Sequence, residues 1–169
     1  MERFLIGYMD ESLCLLIIQF CPNLKEFYII IEDDGLNILK IIFESCQYLE
    51  SIKIMFDYRC QGMEGIFEAI TKYSPKSFYE LKLYKMDLRY LFPKDLESIL
   101  ISWKNQKSQK SLSLIIVIYY DTDIHNILDE HRENIKVIKK YKRLGIIKHF
   151  GFETFHYDAS IMNRNLFLF

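Results

Sequence analysis

Apolar and polar positions along the chain fall into two alternating rhythms. The first is a compact phrase, Leu-x-x-apolar-x-apolar, seen in "FCPNLKEFYII" at Phe20–Ile30 and again in "SCQYLESIKIM" at Ser45–Met55. Aligned on that phrase, the copies are Leu24/Phe27/Ile29, Leu49/Ile52/Ile54 and Phe78/Leu81/Leu83, with weaker ones at Leu112/Leu114 and Leu144/Ile147/His149. The step from Leu24 to Leu49 is 25 positions and that from Leu49 to Phe78 is 29, so the array drifts. Within each copy the residues alternate, as in "KEFYII", "ESIKIM" and "YELKLY". A period of two is the mark of a short strand with one buried face.

The second rhythm precedes each phrase. "LCLLIIQF", "LNILKIIFESC", "GMEGIFEAITKY", "DLESILISWKNQ" and "NIKVIKKYKRL" all carry apolar residues at steps of three and four. In the second of these, Leu36, Leu39, Ile42 and Phe43 share one face, and Lys40 and Glu44 point away from it. Each stretch is therefore an amphipathic helix of two or three turns. Pro93 stands before a short acidic helix start, with Asp95 and Glu97 near the positive end of the helix dipole. The repeating unit is helix, tight turn, strand. One unit cannot bury its own apolar face, so the units must stack, with strands parallel and side by side and helices covering one side. The expectation is an α/β solenoid of about five irregular units around a short parallel sheet, over residues 13–155. Residues 1–12 form an N-terminal cap or remnant, with "ERFLIGYM" closing the first unit or pairing two copies, and residues 156–169 a C-terminal tail.

Composition narrows the class. With 169 residues, half of them hydrophobic, 13 Phe, 12 Tyr, and few Gly (6) or Pro (3), the chain can bury a real core and is not disordered. Its 22 basic and 23 acidic residues leave a net charge of −1, so no global field draws phosphate backbones or anionic membranes, and no nucleic-acid or membrane partner is expected. "LCLLII" and "LSLIIVIYY" are far shorter than the ~20 residues that span a bilayer. The first eighteen residues contain Glu2, Asp10 and Glu11 and do not read as a signal peptide, which points to a cytoplasmic or nuclear location. Cys14, Cys21, Cys46 and Cys60 are then expected as free thiols. Cys21 and Cys46 fall at the helix-to-strand turn, where a small buried hydrophobe suits a tight corner.

Chemistry-bearing constellations are sparse. His125 with His131, His149 with His156, and Cys14 with Cys21 lack the spacing of a metal site. No Gly-x-Ser-x-Gly or phosphate-binding glycine loop occurs, and Gly62 with Gly65 in "CQGMEGIF" reads as a turn entering a helix. Asp33-Asp34 and Asp121/Asp123 fall in expected loops, where carboxylates are solvated. "KVIKKYKRLGIIKH" at Lys136–His149 reads as a solvated helix face, with contact to an anionic partner the alternative. Neither catalytic, cofactor-binding nor metal-ligating residues are assigned, and an enzyme is not expected.

The helix-turn-strand unit with Cys-x-x-Leu-x-x-apolar-x-apolar resembles the cysteine-containing leucine-rich repeat. The ordered phrases "FCPNLKEFYI", "IFESCQYLESIKI", "ITKYSPKSFYELKL", "FPKDLESILISWKNQ", "KSLSLIIV" and "IKKYKRLGIIKHF" resemble more closely the repeat region of fungal F-box/leucine-rich-repeat proteins, over about residues 13–155. That resemblance implies the target-binding region of a ubiquitin ligase receptor of the SCF type. In such receptors an F-box engages the adaptor and cullin, and the repeats hold the target protein. No F-box is visible in Met1–Leu13, so adaptor and cullin are partners only if an F-box is supplied elsewhere. The alternative is a stand-alone interaction or scaffold protein without ligase coupling.

A recognition surface has named residues. With Phe27/Ile29, Ile52/Ile54, Leu81/Leu83 and Leu112/Leu114 in the core, the residues between them face the concave side. These are Glu26, Tyr28 and Ile30; Ser51, Lys53 and Met55; Glu80, Lys82 and Tyr84; Ser111, Ser113 and Ile115. The expected rows are Glu-Ser-Glu-Ser, Tyr-Lys-Lys-Ser and Ile-Met-Tyr-Ile. The last row is either an open apolar contact stripe or is covered by loops or by the aromatic tail "NLFLF" at Asn165–Phe169.

Overall fold

In the computed structural model, which describes residues 3–8, 11–31, 35–56, 63–84, 92–106, 110–119 and 131–155, the two rhythms become alternating strands and helices. The order is β1 (Arg3–Tyr8), α1 (Glu11–Phe20), β2 (Glu26–Ile31), α2 (Gly35–Ser45), β3 (Ser51–Phe56) and α3 (Met63–Tyr73). It continues with β4 (Glu80–Tyr84), α4 (Pro93–Asn105), β5 (Leu112–Tyr119), α5 (Arg132–Arg143) and β6 (Ile147–Phe155). All neighbouring strands pair parallel, in the order β1-β2-β3-β4-β5-β6. A sheet whose spatial order follows chain order has every crossover turning the same way, so right-handed connections put every helix on one face. The helices accordingly touch in file, α1 on α2, α2 on α3, α3 on α4 and α4 on α5.

The turn that joins helix to strand is the same in three places. Leu24, Leu49 and Phe78 each donate their backbone N–H to the carbonyl three residues back, on Cys21, Cys46 and Pro75. The turn thus needs that residue's carbonyl, which explains why proline can replace cysteine in the third copy. Cys21 and Cys46 are free thiols, Cys46 fully buried in the core cluster. Burial, with the neighbouring Cys21 adding to it, pushes the Cys46 thiol up to about 11, so it stays protonated and unreactive. Cys60 and the side chain of Cys14 lie outside the described residues.

The core lies between sheet and helices. Phe27, Ile29, Ile52, Ile54, Leu81 and Leu83 from the strands meet Leu39, Ile42 and Phe43 of α2, Ile66 and Ile70 of α3, and Leu96 and Leu100 of α4. An aromatic file crosses the units: Phe43 meets Phe78 edge-on at 5.4 Å, and Phe78 meets Trp103 at 6.0 Å. The Trp103 indole N–H donates to the Lys110 carbonyl at 3.1 Å, satisfying the polar atom of a buried side chain. Hydroxyls stitch successive turns together. Ser77 donates to the carbonyls of Gln47 and Leu49, and Ser111 donates to that of Gly145.

Three expectations change. "RFLIGY", expected within a cap, enters the sheet as β1, parallel to β2, and α1 begins at Glu11, so the boundary at residue 12 falls inside a helix. Strand β5 is displaced by two residues from the expected alignment: Glu80 pairs with Ser113, Leu81 with Leu114 and Leu83 with Ile116. The facing is unchanged, because two residues is one full strand period. In the last copy, an irregularity between Leu112 and Ser113 sets Ile147 opposite Leu112 but His149 opposite Ser113, so Lys148 is the extra residue of a bulge. His149 therefore stands on the opposite face from Ile147 and is exposed, while Ile147 is buried.

Leu144, expected in the core, is exposed because it caps α5. Gly145 follows with φ of 72°, Ile146 N–H bonds to the Tyr141 carbonyl, and Gly145 N–H bonds to that of Lys142. These two bonds and the buried Tyr141 and Ile146 make a Schellman C-cap, which turns the Leu144 side chain outward.

Candidate recognition face

The sheet face away from the helices is built by the alternate residues of β2 to β6. Its rows follow from the pairing: Glu26–Ser51–Glu80–Ser113–His149, then Tyr28–Lys53–Lys82–Ile115–Gly151, then Ile30–Met55–Tyr84–Val117–Glu153. Eleven of the twelve expected residues lie in these rows, but Ser113 stands beside Glu80 rather than Lys82, and Ile115 beside Lys82 rather than Tyr84. Ser111 precedes β5 and is outside the rows. Its place is taken by Ser113, and the third row gains Val117.

Polar groups on the face are paired. The Ser51 hydroxyl donates to Glu80 Oε1 at 2.8 Å, and Lys53 Nζ lies 3.4 Å from Glu26 Oε2. Lys82 donates to both oxygens of Glu153, at 3.0 and 3.2 Å. Lys53 and Lys82 occupy opposed positions on neighbouring strands, a repulsive arrangement offset by a carboxylate on each.

Two side-chain bridges each skip a strand. Lys82 on β4 reaches Glu153 on β6, so its aliphatic stem crosses β5, and Ile115 and Val117 beneath are only 5% and 4% exposed. Tyr28 on β2 meets Tyr84 on β4 edge-on with ring centroids 5.6 Å apart, crossing β3. The Tyr28 hydroxyl donates to Met55 Sδ at 3.5 Å, and Met55 is 4% exposed. The third row is therefore not an open apolar stripe at β3 and β5. Ser51, Met55, Ser113 and Ile115 are buried, and Glu26, Tyr28, Ile30, Lys53, Glu80, Lys82 and Tyr84 keep partial exposure.

Electrostatics follow this packing. Desolvation works to lower the Lys82 ammonium, but the hydrogen bond and charge of Glu153, helped by Glu80 and Tyr84, hold it above its ordinary value. The Tyr84 phenol is raised by burial, and Glu153 and Glu80 add to that against the opposing Lys82. At neutral pH the face presents Lys82 as a cation and Tyr84 as a neutral hydroxyl.

Glu153, Gly151 and Val117 join the face, as does His149, which the sequence pattern places in the core. The signal was there in "KHFGFETF", where His149, Gly151 and Glu153 alternate with Phe150, Phe152 and Thr154. The bulge at Lys148 shifts this alternation out of phase with Ile147. Cys60, Gly62, Asp33, Asp34, Asp121, Asp123, His125 and His156 lie outside the described residues, as does the tail at 156–169. Among the described residues no group of three or more His, Cys, Asp or Glu is placed to hold a metal ion, and no helix is long and apolar enough to cross a membrane. The fold and face define an α/β array with a one-sided parallel sheet. Compared with known proteins, the chain matches no family model, no curated protein and no solved structure.

Proposed function

We propose that the chain is a leucine-rich-repeat array working as a non-catalytic protein-recognition module, and that its helix-free sheet face holds the target. The observation that carries this reading is the preformed ladder on that face: paired Glu26/Lys53, Ser51/Glu80 and Lys82/Glu153 around the Tyr28–Tyr84 contact. Side chains already fixed by one another lose little entropy when a partner settles on them, and aromatic rings supply contact area at low cost in rotamers. The resemblance to F-box/leucine-rich-repeat receptors adds the proposal that this target is delivered to a ubiquitin ligase.

A photo-reactive phenylalanine analogue placed at Tyr28 or Tyr84 tests the face, with Glu68 on the exposed side of α3 as control. The same target protein should be captured from both tyrosine positions and not from Glu68. Capture that is equal at all three positions rules out a dedicated face. Adaptor and cullin recovered with the target support ligase coupling, whereas a target recovered without them supports the stand-alone scaffold.

A further inference from the structure

A second surface lies on the outer side of the helix layer, between α4 and α5, away from the sheet face. Helix α5 carries six basic residues and one acidic one in twelve, a local charge of +5 on a chain whose total is −1. At 100° per residue, Arg132, Lys136, Lys139 and Arg143 fall within a 60° arc opposite the buried Asn134, Ile138 and Tyr141. All four are exposed.

The stripe has an apolar neighbour. Parallel strands joined by helices make α4 and α5 run in the same direction, and Lys140 Nζ holds Glu97 Oε1 at 2.5 Å between them, with the Tyr141 hydroxyl at 3.4 Å. One turn beyond Glu97 is Ile101, and one turn beyond Lys140 is Leu144. Both therefore lie one turn along the same direction from the bridge, and they are 44% and 56% exposed. Lys104, Arg143 and Lys148 flank this pair and are exposed as well.

We propose that this surface docks an acidic amphipathic protein segment, whose carboxylates meet the α5 cations and whose apolar side chain covers Ile101 and Leu144. Charge complementarity selects the occupant. A nucleic acid would use the cations but leave the apolar pair uncovered, whereas a segment bearing both carboxylates and apolar side chains meets both features. A helix with acidic residues at three- and four-residue steps matches the stripe, whose ends are about 16 Å apart at ~1.5 Å per residue.

The test uses the full chain and a fluorescein-labelled peptide of about 14 residues, alternating Glu-Glu with Leu-Leu, followed by anisotropy. Binding in the range of roughly 1–100 μM is expected. Ile101→Ser with Leu144→Ser should weaken it by about tenfold or more, in line with one apolar side chain left uncovered. Lys139→Glu with Arg143→Glu should abolish it, and Lys40→Glu on α2 should leave it unchanged. Because Ile101, Leu144, Lys139 and Arg143 are surface side chains, the circular dichroism of each variant should match the parent. Hydrogen exchange of the unmodified chain with bound peptide should show protection confined to α4 and α5. Polyglutamate or a single-stranded oligonucleotide binding as tightly as the peptide would overturn the proposal, as would tighter binding to phosphatidylserine vesicles or an unaffected serine variant. Loss of binding in Lys40→Glu would take the peptide off α4 and α5 and overturn the proposal, a result separable from failure of the target-capture experiment.

Discussion

At the scale of single residues, Cys46 and Gly145 each do one definable thing. The Cys46 thiol is raised from 9.0 to about 11 by burial, so the folded chain holds its proton more tightly than the unfolded chain does. For a group raised on folding, stability is fully present below the unfolded value and is lost as pH rises through the folded one. Lys82 and Tyr84 are raised too and act with the same sign at alkaline pH. Urea midpoints should therefore decline from about pH 9 toward about pH 11, and in Cys46→Ala that decline should be shallower although the starting midpoint is lower. In native chain at about pH 8, iodoacetamide should spare Cys46 while modifying Cys21, read by peptide mass mapping. Gly145 sits at a φ of 72°, where a Cβ is strained although no atom lies within 4 Å of it. Gly145→Ala should cost about 1 kcal/mol by denaturant titration, and Gly145→Asn less, because Asn tolerates this region. The Cys role at the turn could be read from the sequence, since both copies fall three residues before a core leucine. The need for glycine at 145 is not legible there, because "KRLGIIKHF" carries the apolar spacing of a strand phrase and the C-cap bonds from Gly145 and Ile146 appear only in the folded helix end.

At the scale of elements, the helices match the sequence reading closely. Periodicity placed five of them, and each observed helix lies within a residue or two of the expected stretch, as with "LNILKIIFESC" against Gly35–Ser45. Helical spacing survives small boundary errors, because three or four apolar residues on one face specify it redundantly. Strands are less forgiving. "LSLIIVIYY" is apolar almost throughout, so nothing in it says which alternate residue opposes Leu81, and the observed pairing with Leu114 comes from the Tyr79 carbonyl taking the Ser113 N–H at 2.7 Å. The bulge at Lys148 was equally invisible, since it arises from the fit of β6 on β5. Helix α4 offers a test at this scale, because Trp103 is the chain's single tryptophan and joins its helix to the aromatic file. Trp103→Phe keeps a ring against Phe78 but loses the bond to Lys110, and should cost about 1–3 kcal/mol. Phe78→Ala empties the middle of the file and should cost about 3–5 kcal/mol, read from Trp103 fluorescence in urea.

At the scale of the whole molecule, the backbone packing runs mainly from each unit to its neighbours, with Tyr28–Tyr84 and Lys82–Glu153 as side-chain bridges that skip one, so protection should be graded along the array. Amide hydrogen exchange should be slowest in β3 and β4, which have a strand on both sides and the buried Ile52, Ile54, Leu81 and Leu83, and fastest in β1 at the sheet edge. Equal protection in β1 and β3 would mean that the array opens as one unit. The parallel strands, the helical turns and the inward residues of the first four copies were determined by the sequence alone, because period two and period three-to-four are local properties that any packing must respect. The roofing of Met55, Ile115 and Val117 was decided by tertiary structure, since Tyr28 with Tyr84 and Lys82 with Glu153 meet only once six strands lie in register. So was the meeting of Glu97 with Lys140, two residues 43 positions apart in the chain that join α4 to α5. Contacts of that kind depend on distances between units, and no local period records them.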